Sequence, residues 1–190
     1  MPAQNQLATV NGKPVFLKGV SMLIPNSGGQ GFTDWQFVAL PEVSDSKEAQ
    51  YSDIPILGRS SPIPTFSHSG YRKFQIAFHL HSITDELKQY HVNFIRAVAS
   101  LVHPEYNNSY RPPRLAWFKC GSLIGIPTAT GGRGYVRILA ESYSYTMDPE
   151  YVWLDQLDLV PQYIALNINV RVVYSYARLP GADSVLGGVW

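Results

Sequence analysis

The chain has 190 residues and a formal net charge of +1, from 15 Lys and Arg against 14 Asp and Glu. Hydrophobic residues make up 45% of the chain. Charged residues make up 15%, whereas about 25% charged residues is usual in soluble domains. This composition argues against a disordered chain, and the near-zero charge argues against a freely exposed nucleic-acid-binding face. The single cysteine, Cys120, rules out an intrachain disulfide framework and a multi-cysteine zinc site.

No targeting or membrane signal is evident in the sequence. No stretch approaches the roughly 20 apolar residues that cross a bilayer, and residues 1–19 contain no apolar run of signal-peptide length. We therefore expect no membrane partner and a protein made in a cytoplasm. A chain of this length is expected to form one domain, with an added arm.

Residues 1–50 are irregular in composition and predict an N-terminal arm with one or two short strands. The segment Pro25–Gly31 is typical of a turn or flexible loop. Apolar residues at alternate positions from Trp35 to Leu40 indicate a strand. The polar and acidic segment 41–50 is interpreted as a linker to the rest of the chain.

The core domain is predicted over residues 51–178, and its first clear strand is Tyr71–His81. Apolar and polar residues alternate there with period 2, which indicates a strand with one buried face and one polar face. The expected buried face holds Phe74, Ile76, Phe78 and Leu80, and the expected polar face holds Lys73, Gln75, His79 and His81.

A single helix is predicted from about residue 84 to residue 102. Ser82 or Thr84 can cap its start, acidic residues fill its first turn, and Pro104 ends it. Apolar side chains recur inside it at helical spacing and form one stripe. The stripe consists of Leu87, His91, Phe94, Ile95, Val98, Leu101 and Val102.

Three further strands are predicted after the helix, over Arg114–Cys120, Tyr135–Met147 and Ala165–Tyr176. The Gly-rich segment Thr128–Gly134 predicts a hairpin-type loop, and residues 179–190 predict a Gly-rich tail. Because hairpin-like connections outnumber helical crossovers, we expect antiparallel pairing. The predicted fold class is mainly β (α+β), an antiparallel β-sandwich or barrel with one flanking helix.

No catalytic constellation emerges from the sequence, so neither an enzyme nor a bound cofactor is predicted. His79 and His81 share a strand face, as two ligands of one metal ion would, but no spacing supplies a third ligand. Cys120-Gly121-Ser122 lacks the rest of a cysteine-protease signature and indicates a buried strand-end cysteine. The glycine runs lack the Lys-Ser/Thr of a phosphate loop.

Three segments, taken in order, resemble a known family. They are Arg59-Ser-Ser-Pro-Ile-Pro-Thr-Phe66, Pro112-Pro113-Arg-Leu-Ala-Trp-Phe-Lys-Cys-Gly-Ser122, and Val136-Arg-Ile-Leu-Ala-Glu-Ser-Tyr-Ser-Tyr-Thr-Met147. With the helix between the first and the second, residues 51–178 resemble the baseplate-hub and tube-initiator proteins of contractile phage tails and related injection systems. Those proteins often carry an added peptidoglycan-binding LysM domain, which these 190 residues do not contain.

The resemblance implies a tail-tube-like fold that assembles into a ring, commonly a hexamer. It implies a virion protein of the tail baseplate, assembled in the host cytoplasm beside tail-tube and hub or spike proteins, with DNA only passing through the lumen. The polar strand faces would then line that lumen, with the candidates Lys73, Gln75, His79, Asn167, Asn169 and Arg171. The candidate interface residues are Trp35, Arg59, Trp153 and Trp190.

Two other functions remain open at this stage. One is a monomeric carbohydrate-binding β-sandwich in which Trp35, Trp117 and Trp153 form a stacking platform. The other is a small hydrolase that uses His79 or His81 with an acidic residue.

Overall fold

A computed structural model describes residues 9–10, 13–26, 31–55, 61–104, 112–121, 124, 126–127, 133–148, 153–154 and 160–174. The elements are β1 (Thr9–Val10), β2 (Lys13–Pro14), β3 (Val20–Pro25), β4 (Phe32–Gln36), β5 (Glu42–Ser46), β6 (Ala49–Ile54), β7 (Ile63–Ser69), β8 (Lys73–His81), α1 (Asp85–Ser100), β9 (Ala116–Cys120), β10 (Ile126–Pro127), β11 (Arg133–Gly134), β12 (Val136–Met147), β13 (Trp153–Leu154), β14 (Val160–Pro161) and β15 (Tyr163–Val172).

A seven-stranded antiparallel sheet forms the centre of the molecule, with the strand order β4-β3-β9-β12-β15-β8-β5. The predicted strands of the core domain all lie in it, and the predicted helix is α1. The mainly β fold class with one helix is therefore confirmed. The last two residues of the segment Thr128–Gly134, predicted as a hairpin-type loop, form β11, which pairs with β10, and the rest of that segment lies outside the described residues.

The prediction of an arm over residues 1–50 needs correction for strands β3, β4 and β5, which belong to the main sheet, whereas β1 and β2 pair only with each other. β3 and β4 form one side of the main sheet, and β5 pairs with β8 at the opposite edge. The expected linker therefore contains strand β5. Arg72, just before β8, is buried and its Nε donates to both carboxylate oxygens of Asp45 in β5, at 2.9 and 3.0 Å. This pair ties the edge strand to the sheet.

The sheet is strongly curled, because a short connector joins its two edges. From Gln36 at the end of β4 to Glu42 at the start of β5 the chain makes six Cα steps, which reach at most about 21 Å. Seven strands in a flat sheet would place the outer two about 29 Å apart. The ring centroids of Phe37, after β4, and Phe78, in β8, lie 4.5 Å apart, although four strands separate β4 from β8 in the sheet order.

The inner face of the curled sheet is apolar, and alternate residues of each strand supply it. In β8 these are the four residues predicted from the alternation, and β15 contributes Ile164, Leu166, Ile168, Val170 and Val172, all buried. β12 supplies Val136, Ile138 and Ala140 before a bulge between Ala140 and Ser142. The period-2 pattern of the sequence thus reports correctly which side chains are buried.

Helix α1 packs across this inner face. The Thr84 hydroxyl caps it by accepting a hydrogen bond from the N–H of Leu87. Asp85 and Glu86 lie in its first turn, where their negative charge interacts favourably with the helix dipole. Phe94 packs against Trp35, Phe37 and Phe78 at centroid distances of 5.4, 5.1 and 5.4 Å. The helix therefore joins strands from opposite sides of the sheet.

The Tyr90 hydroxyl of α1 also forms hydrogen bonds with the backbone of the edge strand β4. The N–H of Gln36 donates to this oxygen at 2.8 Å, and the hydroxyl donates to the Gln36 carbonyl at 3.0 Å. Burial raises the pKa of Tyr90. The Tyr90 side chain thus occupies the backbone N–H and C=O of Gln36, which a further strand would need for pairing with β4.

We expect Phe94→Ala to lower the free energy of unfolding by about 3–5 kcal/mol, since a fully buried ring is lost and a cavity remains. Phe66→Ala is the matched control, because Phe66 is exposed, and it should change the value by less than about 1 kcal/mol. Urea unfolding followed by circular dichroism measures both. Equal losses in the two variants would contradict this description of the core.

His91 predicts an acid-sensitive step in stability. It is buried on α1, its Nδ1 lies 3.0 Å from the Ser82 hydroxyl, and burial with the nearby His81 lowers its pKa from 6.5 to about 4. The imidazole of His91 binds a proton more readily in the unfolded state than in the folded state. The contribution of neutral His91 to the free energy of unfolding is therefore complete above about pH 6.5 and is lost as the pH falls towards 4. The expected loss is about 3 kcal/mol.

The measurement is urea unfolding near pH 7 and near pH 4 of the wild type and of His91→Asn, which keeps a polar atom near the Nδ1 position. The variant should lose about 3 kcal/mol less than the wild type over this interval. His68→Asn, at an exposed position, should behave as the wild type. Equal pH dependence of the wild type and His91→Asn would contradict the assignment.

Candidate functional site

The outer side of β5, β8, β15 and β12 is a continuous polar face. The strand register places Ser44, Gln75, Asn169 and Ser142 side by side in one row. The six residues predicted to line a lumen all point to this side, since odd-numbered residues of β8 and β15 alternate with the buried ones. We call it the polar face, defined by Lys73, Gln75, His79, Ser142, Ser144, Asn167, Asn169 and Arg171.

Apart from Lys73, the charged side chains of the polar face lie beside partners of opposite charge. Arg171 forms an ion pair with Glu141, with its Nη2 2.7 Å from Oε1, and its guanidinium lies 4.7 Å from the centroid of the Tyr71 ring. Asn169 donates to the Ser142 hydroxyl at 2.9 Å. Hydroxyl and amide groups dominate, so the face can contact water or a polar surface without strongly attracting either sign of charge.

The two strand histidines have different surroundings on this face. His79 Nδ1 lies 2.6 Å from the Tyr163 hydroxyl, and its Nε2 lies 3.5 Å from Glu42. Burial, followed by the neighbouring His79, lowers the pKa of His81. Among the described residues no group of three metal-binding side chains forms. The hydroxyl beside His79 belongs to a tyrosine, whereas hydrolase triads place a serine or cysteine there.

The tryptophan predictions need correction. Trp35 is 8% exposed and lies on the inner face against Tyr90 and Phe94, so it is a core residue and not a free interface anchor. Trp117 lies on the opposite side of the sheet, with its ring centroid 4.6 Å from that of Phe32. These two rings therefore cannot share a carbohydrate-stacking platform. Only the backbone of Trp153 is described, and Arg59 and Trp190 lie outside the described residues.

A hairpin formed by β6 and β7 is the main surface feature that the sequence reasoning missed. Every residue in both strands is exposed. Tyr51 and Phe66 face each other with ring centroids 5.9 Å apart, and Ile54 pairs with Ile63 on the other side. These four side chains are between 41% and 63% exposed. The available signal was a pair of segments with apolar residues on both strand faces.

An open groove lies where this hairpin joins the sheet. Its volume is about 580 Å³, and Phe66, Tyr71, Leu139 and Tyr174 form much of its wall. Lys47 and Arg171 add two cations to its lining, and burial raises the pKa of Tyr174. The groove thus combines aromatic and apolar side chains with Lys47 at the base of the exposed hairpin, while Glu141 balances the charge of Arg171.

The chain matches no protein-family model and no curated protein. Within the described residues, no helix is both long and apolar enough to cross a bilayer. The case for a function therefore depends on the surfaces described above.

The assignment of the polar face can be tested with one substitution at two adjacent positions of β8. Ile76→Ser should lower the free energy of unfolding by about 3–5 kcal/mol, because Ile76 is fully buried. Gln75→Ser, on the exposed side, should change it by less than about 0.5 kcal/mol. Chemical denaturation of both variants measures the difference, and a reversed order would show that the two faces are misassigned.

Proposed function

We propose that this chain is a non-enzymatic structural subunit of a contractile phage tail. It forms a ring, commonly of six copies, at the junction of the tail tube with the baseplate hub. In this role it initiates or anchors the tube and contacts tube and hub or spike proteins of the virion. Its mechanism is the burial of surface between subunits.

The observation that carries this proposal is the β6–β7 hairpin. An isolated two-stranded hairpin is marginally stable in water, and this one exposes four large apolar side chains. Exposed apolar surface of this kind marks protein contacts in soluble proteins. If a neighbouring subunit covers the hairpin, the contact both stabilises the two strands and buries their apolar side chains.

The polar face supports the same proposal from the other side of the sheet. Apart from Lys73, its side chains are neutral or lie beside a partner of opposite charge, as a wet channel wall requires if DNA is to pass without being held. The low content of charged residues, 15%, fits as well, because charged residues are depleted at the centres of protein interfaces. Arg59, Trp153 and Trp190 remain predicted interface residues, and the six lumen residues remain predictions.

Assembly of the purified protein tests this function. We expect the wild type, alone or mixed with the neighbouring tail proteins, to form rings or tube-like particles in light scattering and negative-stain electron microscopy. The double variant Tyr51→Ser/Phe66→Ser should assemble at least about tenfold more weakly, since interface aromatics each contribute on the order of 1–2 kcal/mol. Its thermal unfolding should stay close to that of the wild type.

The control is Ile83→Ser, which removes an equally exposed apolar residue away from the hairpin and should assemble as the wild type does. A wild-type protein that stays monomeric under all these conditions would refute the proposed function. Normal assembly of the double variant would show that the hairpin is not an interface.

A further inference from the structure

Strand β12 has an open edge over its second half. On one side it pairs with β15 from Ile138 to Met147, but on the other side it pairs with β9 only from Val136 to Ile138. If the β9 register continued, Pro113 and Pro112 would face Glu141 and Ser142, and proline has no N–H to donate to a ladder. Across the described ranges, the stretch beyond Ile138 pairs with no strand on this side.

The chemistry of this edge distinguishes it from the other two. Ser142–Met147 reads Ser-Tyr-Ser-Tyr-Thr-Met, without a charged residue. The edge strand β4 is occupied at Gln36 by the Tyr90 hydroxyl, and the edge strand β5 carries Glu42 and Asp45. Both devices protect a strand edge against pairing with another chain. The β12 edge has neither, so it can accept a further strand.

Side chains beside the open edge also lack cover. Tyr145 and Met147 are 48% and 43% exposed, although the register sets them on the same side as the buried Leu166 and Ile164. The apolar inner face therefore continues to the open edge. A strand added there would extend the sheet and cover both side chains.

The hairpin has a matching edge in β7. Ile63–Ser69 contains no Asp, Glu, Lys or Arg, whereas β6 carries Asp53. Glu141 and Asp148 flank the open edge of β12, so β6 would bring a carboxylate towards two others, while β7 brings only His68. Beyond Pro64, β7 offers Thr65–Ser69, with a bulge between Phe66 and His68, for pairing with Tyr143–Met147. Charge thus favours β7 over β6.

We propose that Thr65–Ser69 of one copy adds as a strand to the open edge Tyr143–Met147 of a second copy. Within one chain the hairpin is exposed along both strands, so it does not cover the open edge Tyr143–Met147 of its own β12. The contact joins two different surfaces and is therefore heterologous, which closes into a ring when the rotation permits. Backbone hydrogen bonds provide affinity, as in other cases of strand addition. This inference rests on the proposed ring function and names its subunit contact.

Disulfide cross-linking between two differently tagged copies tests the contact, in a Cys120→Ala background. One copy carries Ser144→Cys, and the other carries Thr65→Cys, Ser67→Cys or Ser69→Cys, which sample successive positions along β7 on both sides of its bulge at Ser67. A disulfide needs Cα atoms within about 7 Å, so we expect one of the three pairs to give mixed dimers under mild oxidation. Ser46→Cys on β5, paired with each hairpin variant, is the control and should give none.

A second variant tests the edge without cross-linking. Ser144→Lys places a charge on the open edge and should weaken assembly at least tenfold, with thermal unfolding unchanged, while Ser46→Lys should leave assembly unchanged. Rings that form without any mixed disulfide, or that form normally with Ser144→Lys, would overturn this contact and leave the proposed function standing. A wild-type protein that never assembles would refute both.

Discussion

The short connector between β4 and β5 is the constraint on which the rest of the structure depends. It joins the two edges of a seven-stranded sheet across a distance that a flat sheet would not allow. The sheet must curl, and the inner face then encloses a volume that α1 and its aromatic residues fill. Phe37, Phe78 and Phe94 meet at this point, so the packing of the helix and the curvature of the sheet stabilise each other.

The curl also divides the surface by chemistry. The concave side takes the apolar residues, and the convex side of the same strands presents mostly hydroxyl and amide groups, with Arg171 paired to Glu141. Sparse charge would be a solubility problem for a lone domain with an exposed apolar hairpin. It is consistent with a subunit whose hairpin and open strand edge are covered by neighbours, because such contacts bury backbone and apolar groups together.

The polar face could be predicted from sequence, and the exposed hairpin could not. Lys73, Gln75, Asn167 and Asn169 follow from strict alternation in two long strands, where each position reports its own face. Trp35 shows the limit, because a tryptophan in a five-residue strand can face either way and only its contact with α1 decides. The hairpin was missed for a related reason. Its residues are all exposed, so no periodic burial marks its strands.

The sequence by itself determined the local elements: the alternating strands, the capped helix and the residues that each would bury. These follow from backbone geometry, since side chains alternate in a strand and recur at helical spacing in a helix. The tertiary structure alone decided which strands are neighbours, that β4 and β5 supply the two edges of the sheet, and that, among the described residues, the second half of β12 is unpaired on the side away from β15. Strand pairing joins residues far apart in the chain, and no local pattern encodes the partner.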